Sequence, residues 1–141
     1  LREPGRTSVA GLPLDFGKVA VPAYVLATRE DHIVPWRTAY RTTQLVKGES
    51  RFVLGASGHV AGIVNPASKN KRSYWTGGSP PADAEEWLAG ATETPGSWWT
   101  DWSGWLEPSG GGRVNAPARL GSAEYKPLEP APGRYVRQRI A

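Results

Sequence analysis

Asp31 and His59 are the two side chains in this sequence whose types and setting suit acid–base chemistry. Asp31 comes a few residues after the apolar run Val19-Ala20-Val21-Pro22-Ala23-Tyr24-Val25-Leu26-Ala27, and His59 a few residues after Arg51-Phe52-Val53-Leu54. A carboxylate beside an imidazole fixes its tautomer and stabilises the imidazolium formed when the ring takes a proton. Such a pair acts on a nucleophile, and the chain holds no cysteine to serve as one. Ser57 lies in Gly55-Ala56-Ser57-Gly58-His59, which lacks the second glycine of G-x-S-x-G, so it reads as a turn residue. His32 beside Asp31 hints at metal, but two histidines and no cysteine make a poor ligand set, and no metal site is expected. Spacing alone leaves a second reading equally open, with Asp31 as a turn or cap residue and His59 as a hydrogen-bonded loop histidine.

The surrounding pattern says what must position the pair. The run 19–27 is continuous, apolar and rich in β-branched residues, as in a strand buried on both faces of a parallel sheet. Pro35 suits a first helical turn, and Trp36, Ala39, Tyr40, Thr43 and Val46 recur at helical spacing before Gly48 as a stop. Arg51–Leu54 is a second strand. Strand, helix and strand make a βαβ unit with parallel strands. Both functional residues then emerge at the carboxyl ends of the strands, where open α/β sheets carry their chemistry. Gly55 and Gly58 supply the sharp turn that points His59 back at the site. The order acid-then-histidine is that of α/β-hydrolases, whose nucleophile precedes both.

Residues 1–20 read as connecting loop. Beyond His59, Val60–Val64 is apolar and packs beside the site, and Asn65–Ser73 is a basic loop carrying Lys69, Lys71 and Arg72. Asp83–Ala91 reads as a short helix with acidic residues in its first turn. Ser97 caps another helix, with Trp98, Trp102 and Trp105 on one face. Residues 113–141 are proline-rich and irregular. The division expected is 1–64 as catalytic core and 65–141 as an extension of the same domain.

Composition excludes several classes. With 141 residues there is room for one modest domain. A net charge of +4 is mild and its cations are dispersed, which argues against nucleic-acid binding. No run approaches a membrane helix. Seven tryptophans imply a packed structure or a large apolar surface. The chain begins at Leu1 and contains no methionine, so an interior start within a longer polypeptide is expected.

Arg29-Glu30-Asp31-His32-Ile33-Val34-Pro35-Trp36 and Arg51-Phe52-Val53-Leu54-Gly55-Ala56-Ser57-Gly58-His59-Val60-Ala61-Gly62 resemble class I poly(3-hydroxyalkanoate) synthases. So do Lys69-Asn70-Lys71-Arg72-Ser73, Trp87-Leu88-Ala89-Gly90-Ala91, Gly96-Ser97-Trp98-Trp99 and Glu129-Pro130-Ala131-Pro132-Gly133-Arg134-Tyr135-Val136, in order and with matching spacing. The resemblance implies the C-terminal part of an α/β-hydrolase fold. It implies an enzyme that polymerises (R)-3-hydroxyacyl-CoA into polyester and releases CoA, through a Cys–His–Asp triad. Asp31 takes the place of the family's aspartate and His59 that of its histidine; the cysteine falls upstream of this sequence, so the piece alone is expected to be inactive. Further implications are a homodimer, a cytoplasmic location at storage granules, and no cofactor besides the CoA thioester substrate. Lys69, Lys71 and Arg72 are candidates to meet the CoA phosphates, against a plain solvated loop. Two rival functions remain: an esterase or depolymerase of the same fold, and a noncatalytic, basic, Trp-rich binding module.

Overall fold

The computed structural model describes residues 2–139; Leu1, Ile140 and Ala141, the outermost residues of the two expected segments, lie outside them. The chain divides into two units, Leu1–Ser109 and Gly110–Ala141. The first opens on a small antiparallel hairpin of β1 (Ser8–Val9) and β2 (Leu12–Pro13), in a stretch expected to be loop. Its sheet is built from β3 (Ala23–Thr28), β4 (Ser50–Gly55), β5 (Ser73–Thr76) and β6 (Thr92–Pro95), in that spatial order. Its helices are α1 (Trp36–Tyr40), α2 (Ala84–Gly90) and α3 (Trp98–Leu106).

The expected βαβ unit is present. β3 and β4 pair in parallel, with α1 and a 3-10 stretch, Arg41–Gln44, in the crossover. The first strand starts at Ala23, later than its apolar run predicts. Val19 instead offers its carbonyl to the amides of Lys47 and Gly48, and Pro22 has no N–H for a ladder. Gly48 is needed for close approach as well as for ending the crossover: a Cβ there would stand 2.0 Å from the Val21 carbonyl oxygen.

The sheet is mixed, and here the expectation of purely parallel strands is corrected. β4–β5 and β5–β6 pair antiparallel. Residues 65–109, expected to be helical and irregular, therefore add two strands to the same sheet, and the sheet continues across the expected boundary at 64.

Alternation along β4 sends its side chains to two layers. Phe52 and Leu54 face α1 and α2, where Trp36, Tyr40 and Trp87 are buried with them. Phe52 meets the edges of Tyr40 at 4.8 Å and Trp87 at 4.7 Å between centroids, a favourable arrangement for the ring quadrupoles. Val53 faces the other way, against Tyr74 and Trp98. Trp36, Trp75, Trp87, Trp98 and Trp99 thus all belong to one or other layer, so packing accounts for most of the tryptophan content.

Both helix starts expected downstream are formed. Asp83 caps α2 through its Glu85 amide, standing just before the first turn, and Ser97 caps α3 through the Trp99 amide. The second unit, over 110–139, carries a 3-10 turn at Tyr135–Arg137 and a tight turn closed by Ser122 and Tyr125, and none of its described residues is buried.

Candidate active site

Thr28 and Gly55 are paired at the carboxyl ends of β3 and β4. The chain leaves both strands toward the same edge of the sheet, and the loops stay joined: the Arg29 amide donates to the Gly55 carbonyl at 2.8 Å and the Glu30 amide to the Ser57 carbonyl at 3.1 Å. Asp31 and His59, 28 residues apart in sequence, meet here. His59 Nδ1 lies 2.7 Å from Asp31 Oδ2.

Each carboxylate oxygen of Asp31 has its own work. Oδ1 accepts from the amides of Ile33 and Val34, both at 2.9 Å, while Oδ2 faces the ring. One oxygen thus closes the local turn, and the other is presented to the imidazole. The Val34 amide, then the His59 ring and the Ile33 amide, hold the Asp31 carboxyl below its ordinary value of 3.8, against an opposing push from desolvation. The Asp31 side chain is 8% exposed and that of His59 45%. An ionised, shielded acid thus holds one ring nitrogen, leaving Nε2 for proton transfer.

The turn that carries His59 is built differently from expectation. The residue with a left-handed backbone is Ser57, at φ 78°, and neither Gly55 nor Gly58 has positive φ. The tight glycine is Gly62. A Cβ there would stand 2.4 Å from Thr28 Cγ2, 2.7 Å from the Ala56 carbonyl oxygen and 2.9 Å from that of Gly58. The Gly62 amide donates to Gly58 at 2.8 Å and the Val64 amide to Val60 at 2.9 Å, giving one helix-like turn after the histidine. Within the apolar stretch Val60–Val64, Ile63 packs with Val53 and Trp98, whereas Val60 and Val64 are exposed.

Helix α3 grips this turn. Trp98 Nε1 donates to the Gly62 carbonyl at 3.1 Å and Trp99 Nε1 to the Ile63 carbonyl at 3.0 Å. Ser97 Oγ donates to the Asn65 carbonyl. Gly62, Trp98 and Trp99 escaped the sequence reading as site residues; the available signal was that a buried indole N–H needs a partner. Farther along, Asp101 accepts from Tyr24 at 2.9 Å and from the Arg51 guanidinium, fixing α3 to β3 and β4.

Lys69, Lys71 and Arg72 stand exposed on the loop before β5 and form no ion pair among the described residues. Their backbone is fixed: Asn65 Nδ2 donates to the Lys71 carbonyl, the Gly96 amide to that of Arg72, and Asn70 Oδ1 accepts from the Ser97 amide. They are not brought into contact with the acid–histidine pair. His32 is exposed, and no cluster of three or more metal-binding side chains occurs among the described residues. No helix there is long and apolar enough to cross a membrane.

Fold and site together define an α/β chain bearing a carboxylate-oriented histidine at the carboxyl ends of adjacent parallel strands. No protein-family model matches it. It is 53% identical over 137 residues to the poly(3-hydroxyalkanoate) polymerase subunit PhaC of Cupriavidus necator, an alignment covering 97% of this chain and 23% of that protein. It is 45% identical over 135 residues to the subunit of the same name from Rhizobium meliloti, covering 96% and 22%. With poly(3-hydroxyalkanoate) polymerase 1 of Ectopseudomonas oleovorans it shares 40% over 139 residues, covering 99% and 25%. The chain is a homologue of poly(3-hydroxyalkanoate) polymerases along nearly its whole length, and it spans a quarter or less of each of these relatives.

Proposed function

We propose that this chain is the acid–base portion of a polyester synthase of α/β-hydrolase fold, acting on (R)-3-hydroxyacyl-CoA. The observation that carries the reading is the bond between His59 Nδ1 and Asp31 Oδ2 at 2.7 Å, in a chain homologous to poly(3-hydroxyalkanoate) polymerases. His59 takes the proton of a cysteine thiol supplied from outside this sequence. The thiolate attacks the thioester carbonyl, the C–S bond to CoA breaks, and CoA leaves as the thiol, leaving an acyl-enzyme. The 3-hydroxyl of an incoming unit then loses its proton to the same base and attacks the acyl-enzyme carbonyl; the ester bond forms as the C–S bond to the enzyme cysteine breaks, and the released thiolate takes back the proton. General-base help of this kind is worth about 10²–10⁴-fold in rate. Lys69, Lys71 and Arg72 are placed in this reading as contacts for the CoA phosphates. The whole enzyme works as a homodimer in the cytoplasm, at the surface of the polyester granule.

The test is release of CoA thiol from a short-chain (R)-3-hydroxyacyl-CoA by the full-length protein. Activity is expected to vanish in His59→Ala and under cysteine alkylation. An enzyme insensitive to alkylation but inhibited by a serine-directed phosphonate overturns the synthase reading in favour of a hydrolase.

A further inference from the structure

We propose that Trp98 and Trp99 are positioning residues for His59, holding its turn through the carbonyls of Gly62 and Ile63. The inference rests on the reading of Asp31 and His59 as the catalytic pair. His59 sits at the start of a single helix-like turn, and one such turn has no stability of its own. Contacts on several sides hold it. On one side Gly62 lies against the end of β3, with no space for even a methyl group beside Thr28. At its base the Gly62 amide closes on Gly58. On the far side the Gly62 carbonyl accepts the indole N–H of Trp98, and the Ile63 carbonyl, which also accepts from the Asn65 amide at 3.0 Å, accepts that of Trp99.

The geometry of the tryptophans is itself fixed. Trp98 is buried against Val53 and Tyr74. Its ring centroid lies 6.1 Å from that of Trp99, nearly edge-on at 72°. Ser97 both caps α3 and bonds the Asn65 carbonyl at the end of the same turn. A rigid helix start, rather than the loop itself, therefore sets where the turn stands relative to β3. Asp31 is held independently, by the amides of Ile33 and Val34. Losing the indole bonds displaces the base while leaving the acid in place, which misaligns the ring toward its proton donor without touching substrate.

The test uses the full-length enzyme with Trp98→Phe and Trp99→Phe, which keep an aromatic ring but remove the indole N–H together with part of the ring's bulk. Trp102→Phe on the same helix is the control, since its ring is 39% exposed and its indole makes none of the bonds to this turn. Each of the first two is expected to lower kcat by about 10- to 100-fold, the scale of a small misplacement at a reacting centre, with KM held within about twofold. Trp102→Phe is expected to match the parent. Should Trp98→Phe fail to fold, Trp99→Phe, at a half-buried ring, carries the test alone. Unchanged kcat in Trp99→Phe, alongside an inactive His59→Ala, overturns the positioning role and leaves the catalytic pair standing. An active His59→Ala overturns both.

Discussion

Thr28 and Gly55 face each other on the last rung of the parallel ladder. Asp31 and His59 lie three and four residues beyond that rung, so strand register brings both to the same edge of the sheet. Asp31→Asn keeps an oxygen for the Ile33 and Val34 amides but presents an N–H to His59 Nδ1, stabilising the wrong tautomer. In the full-length enzyme kcat is expected to fall by about 10³- to 10⁴-fold. A loss below tenfold in steady-state CoA release speaks against Asp31 as the orienting acid.

The same carboxylate predicts a pH signature in stability. Its pKa in the fold lies below the ordinary 3.8, so the folded state binds this proton less readily than the unfolded one. Its stabilising contribution is complete above the ordinary value and disappears as pH falls through the lower folded value. Unfolding curves of parent and Asp31→Asn are expected to differ by a constant amount near neutrality and to converge below about pH 4. A difference that already shrinks between pH 7 and 5 contradicts the depressed carboxylate.

Gly62→Ala places a methyl group into Thr28 and two carbonyl oxygens. The expected cost is about 1–3 kcal/mol of stability, with a loss of kcat because the displaced turn carries His59. Chemical denaturation and turnover of the same preparation check both.

Ser57 holds a left-handed backbone that glycine adopts without strain. Ser57→Gly is expected to retain full activity and to change stability by less than about 1 kcal/mol. Loss of activity in that variant identifies the hydroxyl as chemically used.

Asp101 joins Tyr24 and Arg51 across two strands and a helix. Removing it strands a guanidinium and a phenol, so Asp101→Ala is expected to cost about 2–3 kcal/mol, and Tyr24→Phe about 1 kcal/mol. A double-mutant cycle read by denaturation gives the coupling between them.

If Lys69, Lys71 and Arg72 meet CoA phosphates, their joint replacement by alanine raises KM and steepens no other parameter. Identical KM at low and high salt in parent and variant marks the loop as solvated surface.

How far the sequence reveals this molecule depends on signal strength. The βαβ unit is legible because its strands are continuous apolar runs and its crossover has helical spacing. The starts of α2 and α3 are legible because Asp83 and Ser97 are the cap residues that physics favours. Strands β5 and β6 are not: Ser73–Thr76 and Thr92–Pro95 are four residues each, with no long apolar run, and their pairing with β4 is a tertiary matter. At the site, Asp31 and His59 could be found from their place after strands, but their bond could not. The residue of this turn with a left-handed backbone is Ser57 rather than a glycine, and its carbonyl accepts from the Glu30 amide. Composition draws attention to glycines and misses such a position.

Because β3 and β4 are neighbours joined by one short crossover, acid and base are local to each other along the polymer. Contacts of small sequence separation form early and at little loop-closure cost. Under the proposed function, acid and base are thus supplied by one contiguous stretch of chain, and only the nucleophile comes from elsewhere in the polymer.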